Sequence, residues 1–197
     1  MIESRKDYLF FLEADRLALG KPRYSLFEFF KEMIKREFIW RFQRLLRKTE
    51  YYKNVVSKNS IVGKIIYFFI KMHFKNLSLK LGFSIPENVF GPGLAIMHYG
   101  TIVVNSGTKV GANCRIHACT NIGASGGNPT APILGDNIYI APGAKIFGDI
   151  FIANNCVIAA NAAVNRSVKE EGMLVAGIPA KTIKSIDIRN IITHLTK

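Results

Sequence analysis

Apolar side chains recur along this chain with two different periods, and the change of period divides it. Near the start, Tyr8, Leu9, Phe11, Leu12, Leu17 and Leu19 follow Ser4 and Asp7, which have the spacing of a capping box. Gly20 is placed to end that helix in a left-handed conformation. Ser25 and Glu28 repeat the capping pattern. Phe29, Phe30, Met33, Ile34, Phe38, Phe42, Leu45 and Leu46 then predict a second helix to about Lys48. A third helix is expected over Ile61 to Leu81, stopped by Gly82 and by Pro86 beyond it.

After that the period becomes six. Val104, Val110, Ile116 and Ile122 form one series, and Leu134, Ile140, Ile146, Ile152, Ile158 and Val164 continue it in the same phase. Asn128 alone breaks it. In a chain that is 49% hydrophobic, ten such positions arise by chance about once in a thousand per phase. The residue two places earlier is mostly small or apolar, as in Ile102, Thr108, Cys114, Ile138, Ala144 and Cys156. Both positions face one side of a short strand. The residue after each aliphatic is often Gly, Ala or Asn, as tight corners require. A sandwich would show variable strand spacing and clear hairpin turns, whereas a fixed period of six fits a solenoid of short stacked strands. The expected fold is mainly β: a parallel β-helix with an α-helical amino-terminal segment. Its parts are residues 1–82 (helical), 83–183 (β-helix) and 184–197 (carboxy-terminal tail). The segment Gly123–Pro132, rich in turn-forming residues, interrupts the repeat without changing its phase and is expected to extrude as a loop. Asp136 and Asn137 are expected at a corner.

Composition narrows the function. The 197 residues suit one domain or a compact domain with an extension. The net charge is +13, and it is unevenly spread. Residues 1–82 hold 18 Lys and Arg against 8 Asp and Glu. That half can meet an anionic surface, a phosphorylated substrate or an acidic partner, but no nucleic-acid motif accompanies the charge, so no nucleic acid is expected. The longest uncharged run, Asn88 to Thr108, is too rich in Gly and polar residues for a membrane span. No signal-peptide pattern opens the chain. Cys114, Cys119 and Cys156 are an odd number without metal-ligand spacing, so a reduced, cytoplasmic protein without a metal site is expected.

The hexads "KVGANC", "TNIGAS" and "AKIFGD", with "AGIPAK" at Ala176–Lys181, resemble the hexapeptide-repeat acyltransferase superfamily. "FGPGLAIMHYGTIVVN", from Phe90 to Asn105, is similar to its serine acetyltransferase branch, which includes polysaccharide O-acetyltransferases. The resemblance covers roughly Ile85 to Ile183. It implies a left-handed helix, acetyl-CoA as co-substrate, and a homotrimer with active sites in grooves between solenoids. It also implies that His98, in "IMHYG", is the general base that takes the acceptor's proton, a task suited to imidazole near neutral pH.

Phe90, Ile96 and Ile102 lie two residues out of phase with Val104, so His98 occupies a change of register. His117 follows His98 by 19 residues, close to one three-faced coil of 18, which places it about 4.8 Å away on a neighbouring rung as a second catalytic candidate. By resemblance, Ala141, Gly143 and Ala159 line the pantetheine arm of CoA, and Lys181 and Lys184 meet its phosphates. Two departures stand out. Phe83 occupies the place of an acidic residue of serine acetyltransferases, and Ala131 that of a second active-site histidine. The expected activity is therefore O-acetylation of a sugar or surface-polysaccharide precursor. Serine O-acetylation for cysteine synthesis, or a catalytically inactive assembly module, are the alternatives. His73 and His194 are expected in structural or surface roles. The basic helix at 61–81 either packs its apolar side on neighbouring helices or lies at a membrane surface, a peripheral contact at the inner face.

Overall fold

The computed structural model describes residues 1–22, 37–58 and 60–196. Among these residues, three α-helices come first: α1 (Arg5–Ala18), α2 (Phe38–Tyr51), which runs on into a short π-helical turn, and α3 (Ile61–Leu81). The Ser4 hydroxyl accepts the Asp7 amide at 3.1 Å, and the Asp7 carboxylate accepts the Glu3 amide at 3.1 Å. Gly20, at φ 64°, closes α1. Ser60 caps α3 through the Gly63 amide, and Gly82, at φ 75°, ends it where the sequence places the stop. The second capping pattern, Ser25 with Glu28, and Phe29, Phe30, Met33 and Ile34 lie outside the described residues.

From Phe83 the chain winds through five coils of a parallel β-helix. The first coil holds β1 (Phe83–Ser84) and β2 (Ala95–Ile96), and the second β3 (Ile102–Val104), β4 (Lys109–Val110) and β5 (Arg115–Ile116). The third holds β6 (Thr120–Gly123), β7 (Ile133–Leu134) and β8 (Tyr139–Ile140), and the fourth β9 (Lys145–Phe147), β10 (Phe151–Ile152) and β11 (Val157–Ile158). The last holds β12 (Ala163–Val164) and β13 (Met173–Gly177), which turns back into the antiparallel β14 (Ala180–Ser185). Three faces result. The first stacks β1, β3, β6, β9 and β12; the second β4, β7 and β10; the third β2, β5, β8, β11 and β13. All ten hexad aliphatics are buried, and so are the ten residues two places before them. Corner residues take left-handed conformations, among them Asn113, Asn137, Asn155 and Asn161. The first three also form a side-chain ladder, Asn113 to Asn137 at 2.9 Å and Asn137 to Asn155 at 2.8 Å. Asn137 thus takes its expected corner, and Asp136 accepts the Ala112 amide of the coil above at 2.6 Å.

The first coil has no coil above it, so its upward-facing backbone groups need other partners. The helices supply them. Gln43 donates to the Leu94 carbonyl at 2.6 Å and accepts the Ile96 amide at 3.0 Å, as a peptide of a preceding rung would. The Arg47 guanidinium, fully buried, donates to the carbonyls of Phe90 (2.9 Å) and Gly91 (2.6 Å). It also pairs with Asp15 at 2.8 Å and with Glu50 at 3.0 Å. Those carboxylates in turn accept the Leu94 and Asn88 amides. Phe42, Leu46, Phe74 and Leu81 join the helices to the apolar interior of the solenoid.

The tail expected over residues 184–197 is not free. Beyond β14 it folds back on the outside of the third face, where Ile188 and Ile192 are buried with Val157 and pack beside Tyr139 and Leu174. Arg115 Nη1 donates to the Ile191 carbonyl at 3.2 Å. Tyr139, Val157 and Leu174 are outward positions of that face on three successive coils, and the tail covers them.

Candidate active site at one corner of the β-helix

One corner, between the third and first faces, carries most of the residues singled out in the sequence. The row that leaves the third face is Met97, His117, Ala141 and Ala159. Each donates its amide to the strand below: Met97 to Ile116 (3.1 Å), His117 to Ile140 (3.1 Å), Ala141 to Ile158 (2.9 Å) and Ala159 to Val175 (2.9 Å). His98 follows Met97 directly. The register change has a structural cause. Ile96 pairs with Ile116, but Ile102 pairs with Thr120, so the corner around His98 is two residues longer than the corner below it. Gly100, at φ 128°, helps the chain through that wider turn.

The two imidazoles meet across the rungs. The centroids of His98 and His117 are 5.9 Å apart, with the rings tilted by 45°. His98 is exposed and His117 half-buried. His117 also contacts Tyr139 of the next coil, at 5.1 Å between centroids. The sequence reading missed Tyr139. Its signal was available, since it precedes inward Ile140 and so points outward one rung below Arg115. Burial, then the neighbouring His98 and Arg115, lower the proton affinity of His117. Its Nε2 is buried without a hydrogen-bond partner among the described residues.

Below the imidazoles the corner narrows to small side chains. Ala141 is buried, Gly143 turns at φ 77°, and Ala159 is half-buried. A methyl group on Gly143 would meet the Asn161 side-chain oxygen at 2.0 Å, so a side chain there requires Asn161 to shift. Lys181 lies opposite Ala176 in the terminal hairpin, one residue past Val175, and so continues this corner; it is exposed. Lys184 lies opposite Leu174, about 10 Å further along the strand toward the other edge of the face. The structure therefore gathers His98, His117, Ala141, Gly143, Ala159 and Lys181 and leaves Lys184 apart.

The other candidates sit elsewhere. Phe83 is buried against Phe42, at 4.9 Å between centroids, and Ala131 is buried at the base of the extruded loop. That loop leaves the corner between the first and second faces, on the far side of the first face from His98. His73 is exposed on α3 near Arg41, and His194 approaches Asn113 at 3.4 Å in the folded-back tail. Among the described residues, no three His, Cys, Asp or Glu side chains are grouped to hold a metal.

A pH dependence follows. Burial and the Arg115 charge lower the proton affinity of both His117 and His194 in the folded chain. The unfolded chain therefore takes up these protons first, and stability falls as pH drops below about 6.5. The melting temperature is expected to be lower at pH 5.5 than at pH 7.5. The double substitution His117→Gln with His194→Gln is expected to flatten that slope, and an unchanged slope would show that these rings do not carry it.

No family model matches the chain. Among curated proteins, serine acetyltransferase of Staphylococcus aureus strain N315 is 34% identical over 106 residues, 53% of this chain and 49% of that protein. Serine acetyltransferase of Mycobacterium tuberculosis is 33% identical over 100 residues, covering 50% of this chain and 43% of its own length. The chain thus spans about half the length of the curated relatives it matches. Among solved structures, serine acetyltransferase from Brucella abortus in complex with coenzyme A aligns with a TM-score of 0.66 at 22% identity, over 92% of this chain and 70% of that one. The Neisseria gonorrhoeae enzyme in complex with serine gives 0.65 at 22%, over 92% and 71%. These likenesses are of fold: the left-handed parallel β-helix with a helical segment before it.

Proposed function

We propose that the chain is a member of the hexapeptide-repeat acyltransferase superfamily on its serine acetyltransferase branch, and that it moves the acetyl group of acetyl-CoA to a hydroxyl. The observation that carries this reading is the corner itself. Two imidazoles 5.9 Å apart stand at the head of a row of small residues that ends at an exposed lysine. An extended pantetheine arm fits beside Ala141, Gly143 and Ala159, where side chains do not block the backbone, and Lys181 is placed to meet phosphate. His98 takes the acceptor's proton as its oxygen attacks the thioester carbon. The C–O bond forms, the C–S bond breaks, and the proton passes to the departing thiolate. The lowered proton affinity of His117 disfavours a second positive charge beside His98, whose ring it adjoins.

Serine is the acceptor that the relatives support best, ahead of the sugar hydroxyl expected from the sequence. A second reading, the sugar, is favoured by one specific observation. Phe83 and Ala131 are buried apolar residues where the serine-acetylating pattern has an acid and a histidine. Mass spectrometry of products from purified protein, acetyl-CoA, serine and a panel of nucleotide sugars separates the two. Acetylserine is the expected product. Acetylated sugar alone would replace this acceptor with the second reading, and no transfer to either would favour the inactive assembly module.

The site also bears on assembly. One chain supplies a single wall of the corner groove, and its extruded loop stands across a whole face from His98. In a homotrimer, corners of neighbouring solenoids face one another and each groove gains a second wall. Light scattering is expected to give the mass of three chains. A fully active monomer at the assay concentration would overturn this arrangement.

A further inference from the structure

Helix α3 is apolar on two opposite sides. Phe74, Leu77 and Leu81 are buried on the inner side, against the rest of the molecule. The outer side of its first half carries Ile61 (75% exposed), Val62, Ile65, Phe68 (58%), Phe69 (63%) and Met72. Ile65, Ile66 and Phe69, for which the sequence left packing or a membrane surface open, are exposed among the described residues. A contiguous outward face with two exposed phenylalanines is uncommon on a soluble surface and marks an interaction site.

Its charges indicate the occupant. Within Ile61–Leu81 there is no Asp or Glu, while Lys64, Lys75 and Lys80 are exposed around the apolar face. Lys71 is held by Glu87 of the first coil. Pairing this face with the same face of a second copy would crowd lysines on both sides with no acid on α3 to match them. An anionic lipid surface offers both complements, acyl chains for the ring and aliphatic groups and headgroup charge for the lysines. Among the described residues no helix is long and apolar enough to cross a membrane, so the contact is one of lying on the surface. We propose that the outer face of α3 docks this protein on anionic lipid bilayers. The inference is independent of the acceptor and of the chemistry at His98.

The test uses the full chain and sedimentation with vesicles of phosphatidylcholine alone or mixed equally with phosphatidylglycerol. The protein is expected to pellet with the mixed vesicles at low salt, to bind neutral vesicles weakly, and to be released by added salt. Lys64→Glu with Lys75→Glu is expected to weaken partitioning at least roughly 30-fold, because each cation near the surface contributes about a fivefold gain. Phe68→Ser with Phe69→Ser is expected to abolish binding; both side chains are exposed, and an unchanged melting temperature confirms that the variant folds. Full recovery of the native protein in the supernatant at low salt would overturn the proposal. So would a loss of oligomer mass in the Phe68→Ser, Phe69→Ser variant without vesicle binding by the native chain, which would assign the face to a second copy.

Discussion

Replacing His98 by alanine is expected to lower kcat by about 10²–10⁴-fold, the range that a positioned general base supplies. The KM for acetyl-CoA and the melting temperature are expected to stay near those of the native protein. The reason is geometric. His98 is exposed in a corner that is two residues longer than the one beneath it, and its imidazole adjoins the ring of His117. Removing it opens no cavity and breaks no rung of the solenoid. The small-residue row proposed for the pantetheine arm begins one coil below His117 and is untouched. Steady-state kinetics with circular dichroism melting checks this, and near-normal turnover in a folded variant would remove His98 from the role of base. His117→Ala is the companion measurement. If His117 holds the His98 ring in place, its loss lowers kcat less than the loss of His98 while the melting temperature stays near the native value. A simple packing role would lower the melting temperature and leave the kcat of the folded variant in place.

Replacing Arg47 by alanine is expected to cost about 3–5 kcal/mol of stability, as removal of one partner from a buried ion pair does. For a chain of this size that lowers the melting temperature by roughly 10 °C or more. The loss has two sources. Asp15 and Glu50 are left as buried carboxylates facing each other without a cation, and the Phe90 and Gly91 carbonyls lose their donors. Lysine is a poor rescue, since one ammonium cannot reproduce a planar fork that reaches two carboxylates and two carbonyls. Because the network caps the first coil, the damage is expected to spread downward to the His98 corner. Hydrogen exchange would show it as loss of protection at the Leu94 and Ile96 amides before those of Ile140 and Ile158. Uniform loss would mean that the cap and the solenoid unfold as one unit.

Much of the architecture is legible along the chain because it is written in local, repeating terms. Each hexad aliphatic, from Val104 to Val164, needs only its own rung and the one below to be buried, so period and phase alone locate the interior. Helix ends behave the same way: Ser4 with Asp7, and Gly82, act within one turn of the backbone. The register change at His98 is visible too, as an offset between Ile96 and Val104, and in the fold it is a corner two residues longer than the one beneath it. Other features depend on residues that meet only after folding. Nothing near Arg47 announces that Asp15, 32 residues away, completes its ion pair, or that Gln43 stands in for a missing strand. The tail could be read as solvated because Ile188 and Ile192 have no periodic neighbours; they are buried by a face that Tyr139, Val157 and Leu174 present from three separate coils. Helix α3 is the instructive case. Its sequence is apolar around almost the whole circumference, so a periodicity argument cannot say which side is covered. Only the position of α2 and the first coil decides that Phe74 and Leu77 go inward and Phe68 and Phe69 face out. Periodicity records which residues want burial, and the available partner surface, set by contacts distant in the chain, determines which of them obtain it.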